Sequence, residues 1–295
     1  MVNRKENKKG YCLEGDSIFL ARAALHRWEE PCISGQAGSG AVFFSGCNLR
    51  CIYCQNAEIA AGTKGVEVSK ERLAEIFLEL QDKGAANINL VTPDHYILSI
   101  AEAVLAAKEK GLRIPIVYNG SGYEKEEVIE GLAGIIDIFL TDFKYMDAEL
   151  ARKYSAAADY PEVAKRALAK MLQVVGEPVF DDRGMMQKGV IVRHLLLPGH
   201  KKNAKAVLEY IYHKYENQVY ISLMNQYTPL EKNIFLMKEK GFDNLCRKVT
   251  KREYEDVINF ALELGISNAF IQEGETAEES FIPDFDGEGV AAPSD

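Results

Sequence analysis

The sequence has no apolar stretch approaching the roughly 18 to 20 uncharged residues that a membrane helix needs, and no secretory apolar core near Met1. Neither a membrane partner nor export is therefore expected. It also lacks an excess of positive charge. Its 35 Lys and Arg stand against 44 Asp and Glu, a net charge of −9, so the whole-molecule field does not favour nucleic acid. The basic start, Asn3 to Lys9, reads as a solvated terminus. No internal repeat or low-complexity linker divides the chain. With 295 residues, 47% of them hydrophobic, it can bury a sizeable core. We read it as an N-terminal extension and loop (1–40), one catalytic domain (41–275) and an acidic, mobile tail (276–295). Without an export signal the six cysteines should stay reduced, and a cytoplasmic location is expected.

Three of those six cysteines, Cys47, Cys51 and Cys54, fall within eight residues at a C-x3-C-x2-C spacing. They follow an apolar run, Ala41 to Phe44, and a small Ser45-Gly46 pair, which predicts a buried strand delivering thiols onto a loop. Structural zinc takes four ligands, usually as two matched pairs. No second C-x2-C exists here, and His26 and His95 are distant in sequence. A four-iron cubane is normally held by four thiolates, so three would leave one iron open to something other than protein. Two rival readings remain: metal-free core thiols, and a zinc site completed by a remote His or Cys. Cys12, Cys32 and Cys246 are scattered and read as ordinary thiols.

Downstream, the pattern alternates. Ser69 is the expected N-cap of a helix with Leu73, Ile76, Phe77 and Leu80 on one face, ended by Gly84. Strands are predicted at 87–92, 114–119, 135–142, 189–197 and 218–224, and a short one at 270–272. Helices are predicted near 96–110, from about 124, over 147–176 with a break at Tyr160-Pro161, after 200, and at 251–264. Ala21–Trp28 reads as a short helix, and 29–40 as a Gly/Ser-rich loop. Counting the strand before the cysteines, six strands joined by helices imply parallel pairing through right-handed crossovers. Six fall short of the eight of a closed barrel. The predicted fold is therefore α/β, an open partial (β/α)6 TIM-like barrel with an N-terminal extension.

Ligands in such folds sit at the C-terminal ends of the strands. Thr92 and Asp94 follow the second strand, and His95 there is either a substrate contact or a plain helix start. Asn119 and Ser121 follow the third, where Ser121 is equally a turn or cap residue. Asp142 and Lys144, two apart on an extended segment, share a face and could equally be a structural ion pair. Arg193, near the end of a buried strand, needs a carboxylate partner. Met224 and Tyr227 follow the sixth, with core packing the plainer role for Met224.

The cysteine spacing, with Tyr53 in the aromatic place before Cys54, resembles the radical S-adenosylmethionine (SAM) enzymes, whose signature is C-x3-C-x-aromatic-C. Asp142-Phe143-Lys144 and Arg193 to Gly199 are similar to segments of the glycyl-radical-enzyme activases. The runs Trp28 to Gly35, Asn89 to Pro93 and Ser222 to Pro229 extend the likeness, over about residues 20–275, to the pyruvate formate-lyase-activating-enzyme-like subgroup. The resemblance implies a partial barrel and a [4Fe-4S] cluster on Cys47, Cys51 and Cys54. It further implies SAM bound with help from Tyr53, Thr92, Asn119, Ser121, Asp142, Lys144 and Arg193, with the SAM carboxylate or Asp142 as partner for Arg193. Where many members place Gly-Gly-Glu, this chain has Thr92-Pro93-Asp94. The implied reaction is reductive cleavage of SAM to a 5′-deoxyadenosyl radical that takes hydrogen from a glycine of a partner glycyl-radical enzyme, with a flavodoxin or ferredoxin as electron donor. A peptide or small-molecule substrate, and a non-catalytic iron–sulfur binding module, are the alternatives.

Overall fold

The computed structural model describes residues 8–272 and 283–292. Strand β1 (Ile18–His26), the short helix α1 (Pro31–Ser34) and β2 (Ser39–Phe44) lead to α2 (Ala57–Ala60) and β3 (Val66–Val68). Helix and strand then alternate through α3 (Lys70–Asp82), β4 (Ile88–Val91), α4 (Ile97–Glu109), β5 (Ile116–Gly120), α5 (Glu126–Glu130) and β6 (Ile138–Asp142). Next come α6 (Ala148–Ser155), α7 (Tyr160–Val175), β7 (Val179–Phe180) and the long β8 (Met186–Leu195). The order closes with α8 (Lys201–Tyr215), β9 (Tyr220–Met224), α9 (Glu231–Glu239), α10 (Lys251–Leu264) and β10 (Ala269–Ile271).

One sheet carries these strands in the order β10-β9-β8-β6-β5-β4-β2-β1-β3. Every neighbouring pair from β2 to β10 is parallel, whereas β1 lies antiparallel on β2 and β3 antiparallel on β1. The edges β3 and β10 do not pair, so the barrel is open. The central strands are rich in apolar residues because helices cover one face and the barrel interior the other. All six residues of β2 and all four of β4 are buried.

Local signals set the helices. Ser69 Oγ accepts the N–H of Arg72 at 3.1 Å, and α3 buries Leu73, Ala74, Ile76, Phe77 and Leu80. Each large apolar side chain so buried contributes roughly 1.5–3 kcal/mol. The 147–176 stretch is interrupted as expected, but Pro161 lies in the first turn of α7 and so starts that helix. The turn itself is made at Ala156, which ends α6 in the left-handed conformation. The helix expected from about 124 begins at Glu126, because the Glu124 carboxylate is engaged in a turn, accepting the Ser121 N–H at 3.0 Å.

Two parts of the chain depart from expectation. Ala21–Trp28 is not helical, since most of it belongs to β1. Alanine favours helix locally, but the edge of β2 offers a row of unpaired backbone groups. Pairing Ala24 with Ala41 and Leu25 with Gly40 satisfies them. The acidic stretch near the C-terminus is pinned over residues 283–292 rather than free. Glu288 accepts the Ala23 N–H at 2.8 Å, and the Gly287 N–H donates to Ala21 at 3.0 Å. Arg22 pairs with Asp286 and Glu288, while Phe285 packs on Phe43 and Val290 is buried. The remainder, 276–282 and 293–295, lies outside the described residues.

Candidate active site

The cysteine loop leaves β2 through Gly46, whose φ of +89° is open to glycine. A Cβ there would lie 2.6 to 2.9 Å from Glu14, the Cys12 carbonyl and His95 Nε2. The loop then rests on the C-terminus of α6. The Ile52 N–H donates to the Tyr154 carbonyl at 2.8 Å, and the Arg50 N–H to that of Ser155 at 3.3 Å. Two of the carbonyls that the helix leaves unpaired are thereby satisfied. On the other side Asn48 Nδ2 donates to the Tyr123 carbonyl at 3.2 Å, and the Ser121 hydroxyl to Asn48 Oδ1 at 3.1 Å, fastening the loop to the turn after β5.

Cys47, Cys51 and Cys54 are free thiols. Burial pushes all three up, Cys54 to about 12, and for Cys47 the neighbouring Cys51 and Cys54 add to the effect. Lys144 and the Ser155 hydroxyl hold Cys51 partly back. Thiols in this state ligate only by giving up their protons to a metal. No three His, Cys, Asp or Glu among the described residues converge on a single ion. A cubane needs no such convergence, because each thiolate binds a different iron. Three free thiols on one cavity wall, beside a cation, fit an iron–sulfur cluster.

These sulfurs face a cavity of about 590 Å³ at the C-terminal ends of the parallel strands. All ten nominated residues line it: the three cysteines, Tyr53, Thr92, Asn119, Ser121, Asp142, Lys144 and Arg193. Thr92 sits at φ +58°, its N–H donating to the Asn119 carbonyl at 2.9 Å. Asp142 and Lys144 form an ion pair. Burial works against the Lys144 charge, but Asp142 and Cys51 outweigh it and hold the ammonium above its usual range.

Other nominated groups turn elsewhere. Asp94 accepts the Tyr118 hydroxyl at 2.8 Å and is not part of the cavity wall. Its neighbour is Glu124, whose carboxyl is pushed well up by burial and by Asp94 beside it. His95 Nε2 lies 2.5 Å from the Ser45 carbonyl, under the cysteine loop. Tyr227 donates to the Leu245 carbonyl at 2.6 Å, whereas Met224 does line the cavity. The Cys32 thiol is raised to about 12 by burial and by Glu30, in a separate apolar cluster with Val117 and Ile191.

Arg193 does have the carboxylate partner its burial demands, and within the chain that partner is not Asp142. Glu30 takes the guanidinium by two contacts of 2.7 Å, and Glu29 also pairs with it. Asn89 Nδ2 holds Glu29 at 2.8 Å. Sequence reasoning passed over both glutamates because they precede a proline in what looked like a flexible loop. The usable signal was their number: two adjacent acids inside a run, Trp28 to Gly35, shared with the resembling family. Gln55, Gln226 and Gln272 on the same wall were also missed, since glutamine carries no spacing signature.

The sequence profile of the Radical SAM superfamily matches residues 41–211, from β2 into α8. The chain belongs to the radical SAM superfamily. Its chemistry is therefore reductive cleavage of SAM at an iron–sulfur cluster to a 5′-deoxyadenosyl radical. Among relatives, an uncharacterized protein of Methanocaldococcus jannaschii is 28% identical over 270 residues, spanning 88% of this chain and 71% of that one. The pyruvate formate-lyase-activating enzyme of Clostridium pasteurianum is 29% identical over 116 residues, 36% of this chain and 45% of that one. Among solved structures, Streptococcus suis SuiB bound to SAM aligns with a TM-score of 0.47 at 13% identity over 77% of this chain. SuiB bound to its precursor peptide SuiA aligns at 0.46, with the same identity and share. This radical SAM chain spans 45% and 46% of those two SuiB chains. No helix among its described residues is long and apolar enough to cross a membrane.

Proposed function

We propose that Cys47, Cys51 and Cys54 hold the [4Fe-4S] cluster of a radical SAM enzyme whose substrate is a peptide or small molecule, and of these a peptide segment entering the open barrel mouth. The cluster, when bound with SAM, supplies the electron that breaks the S–C5′ bond. The residues of this chain divide the remaining work. Thr92, Asn119 and Ser121 offer hydrogen-bonding groups to SAM, and the Asp142–Lys144 pair supplies an ammonium and a carboxylate for its methionine end. Tyr53 packs its ring edge-on to Tyr227, with centroids 6.1 Å apart, and steadies the loop.

The observation that carries the substrate reading is the cavity wall around Arg193. There Arg193 is already neutralised by two carboxylates, so that corner bears about one net negative charge. It does not invite a substrate carboxylate, and it suits neutral amides or a basic side chain. Gln55, Gln226 and Gln272 also line the cavity, joined by bonds from Gln55 Nε2 to the Gln226 carbonyl at 3.1 Å and from Gln272 Nε2 to Gln226 Oε1 at 2.9 Å, and their remaining amide hydrogens suit backbone C=O groups. Trp28, 66% exposed, stands at the rim. A second reading, hydrogen abstraction from a glycine of a partner glycyl-radical enzyme, is supported by the likeness to the pyruvate formate-lyase-activating enzyme. A flavodoxin- or ferredoxin-type donor serves either reading.

Anaerobically reconstituted protein with SAM and dithionite should release 5′-deoxyadenosine. Peptides deuterated at Cα or at side-chain carbons should then pass deuterium into it and change mass. A stable organic radical on an added glycyl-radical enzyme, with no peptide product, would replace the first reading by the second. An intact cluster that gives no 5′-deoxyadenosine would refute both.

A further inference from the structure

From Cys51, three hydroxyls stand in line. Ser155 Oγ is 3.0 Å from Cys51 Sγ, Tyr145 Oη is 2.8 Å from Ser155 Oγ, and Tyr53 Oη is 2.6 Å from Tyr145 Oη. Ser155 and Tyr145 are buried, at 1% and 0% exposure, and neither lines the cavity. Ser155 closes α6, the helix whose last carbonyls bind the cysteine loop, so its hydroxyl is delivered by the same contact that seats the loop.

We propose that Ser155, oriented by Tyr145 and Tyr53, is a positioning residue that donates a hydrogen bond to the Cys51 thiolate of the loaded cluster and raises the cluster's reduction potential. The direction follows from counting protons. A ligating thiolate has none to give, so the single Ser155 proton must point at sulfur. Ser155 Oγ then accepts from Tyr145, and Tyr145 in turn accepts from Tyr53. All three O–H dipoles put their positive ends toward Cys51 and polarise one another. Reduction adds negative charge to the cluster, so donors aimed at its sulfur favour the reduced form. The aromatic residue of the cysteine motif thus acts on the cluster through its hydroxyl as well as its ring.

The inference rests on the cluster assignment, and the test separates the two. Iron content and the electron paramagnetic resonance signal of the reduced wild-type protein come first, and a protein without a cluster overturns the assignment itself. With the cluster present, a redox titration of Ser155→Ala should show the reduced-to-oxidised ratio at a fixed potential falling roughly tenfold, about 59 mV for a one-electron couple. Tyr145→Phe should shift it less, in the same direction. In D2O the Fe–S(Cys) Raman bands of the wild type should move, because a deuteron replaces the hydroxyl proton that Ser155 donates to sulfur. An unmoved potential in Ser155→Ala at wild-type iron content overturns the proposal. If that variant fails to load, wild-type Raman bands insensitive to D2O, or an unshifted Tyr145→Phe, do so.

Discussion

Arg193 and Glu30, 163 residues apart in the chain, meet in two parallel contacts of 2.7 Å at the wall of the cavity. Burial alone would raise the Glu30 carboxyl, but Arg193 outweighs it and holds the acid below its usual range. This pair joins the segment before β2 to β8 across the open barrel, and it decides the charge that a substrate meets.

Removing one member leaves charge buried without a partner. Arg193→Ala should cost about 3–5 kcal/mol in urea unfolding, because Glu29 and Glu30 are then stranded. Adding Glu30→Gln to that variant should recover part of the loss. An Arg193→Ala protein as stable as the wild type would show that the pair is not buried in solution.

Cys47→Ala, Cys51→Ala and Cys54→Ala should each bring iron per chain well below the wild-type value and abolish 5′-deoxyadenosine release. Cys32→Ala and Cys246→Ala should leave both unchanged, since neither sulfur faces the cavity. Iron assay with anaerobic product analysis distinguishes the two sets.

Gly122 is a further constraint on the site. Its φ is +74°, and a Cβ would fall 2.1 Å from the Asp142 carbonyl. Gly122→Ala should therefore push the β5 turn off β6, costing more than about 1 kcal/mol in stability. SAM affinity should fall too, because Ser121 and Asp142 flank that contact. Calorimetric titration of SAM into wild type and variant checks it.

Stability should also depend on His194. Burial lowers its imidazole to about 4 from 6.5. The Phe143 carbonyl, 2.7 Å from Nδ1, and Asp142 pull the other way, while Lys144 adds to the lowering. The unfolded chain takes up this proton first, so stability should fall as pH drops from 6.5 toward 4. The loss should reach up to about 3 kcal/mol and level off below that range. Urea midpoints of wild type and His194→Asn across this window should diverge, with the variant less pH-dependent.

The parallel strands were legible because they are short apolar runs between helices with clear punctuation. Ser69 before Leu73, and Gly84 and Gly111 after their helices, are local signals that tertiary packing did not override. Ala21–Trp28 was misread for the opposite reason: its conformation is set by pairing with β2, 13 to 21 residues away. The C-terminal strap was illegible likewise. Its acids look solvated until Arg22 and Arg72 are brought beside it.

The linear order of residues was enough to determine the alternating β/α architecture, the three-thiol loop with Tyr53, and the strand ends that face a ligand. These depend on spacing and periodicity within a few residues. Only the folded chain decided that Glu29 and Glu30 pair with Arg193, and that Ser155 stands beside Cys51. Both are meetings of segments more than 100 residues apart, produced by barrel curvature and helix docking, which no local pattern encodes.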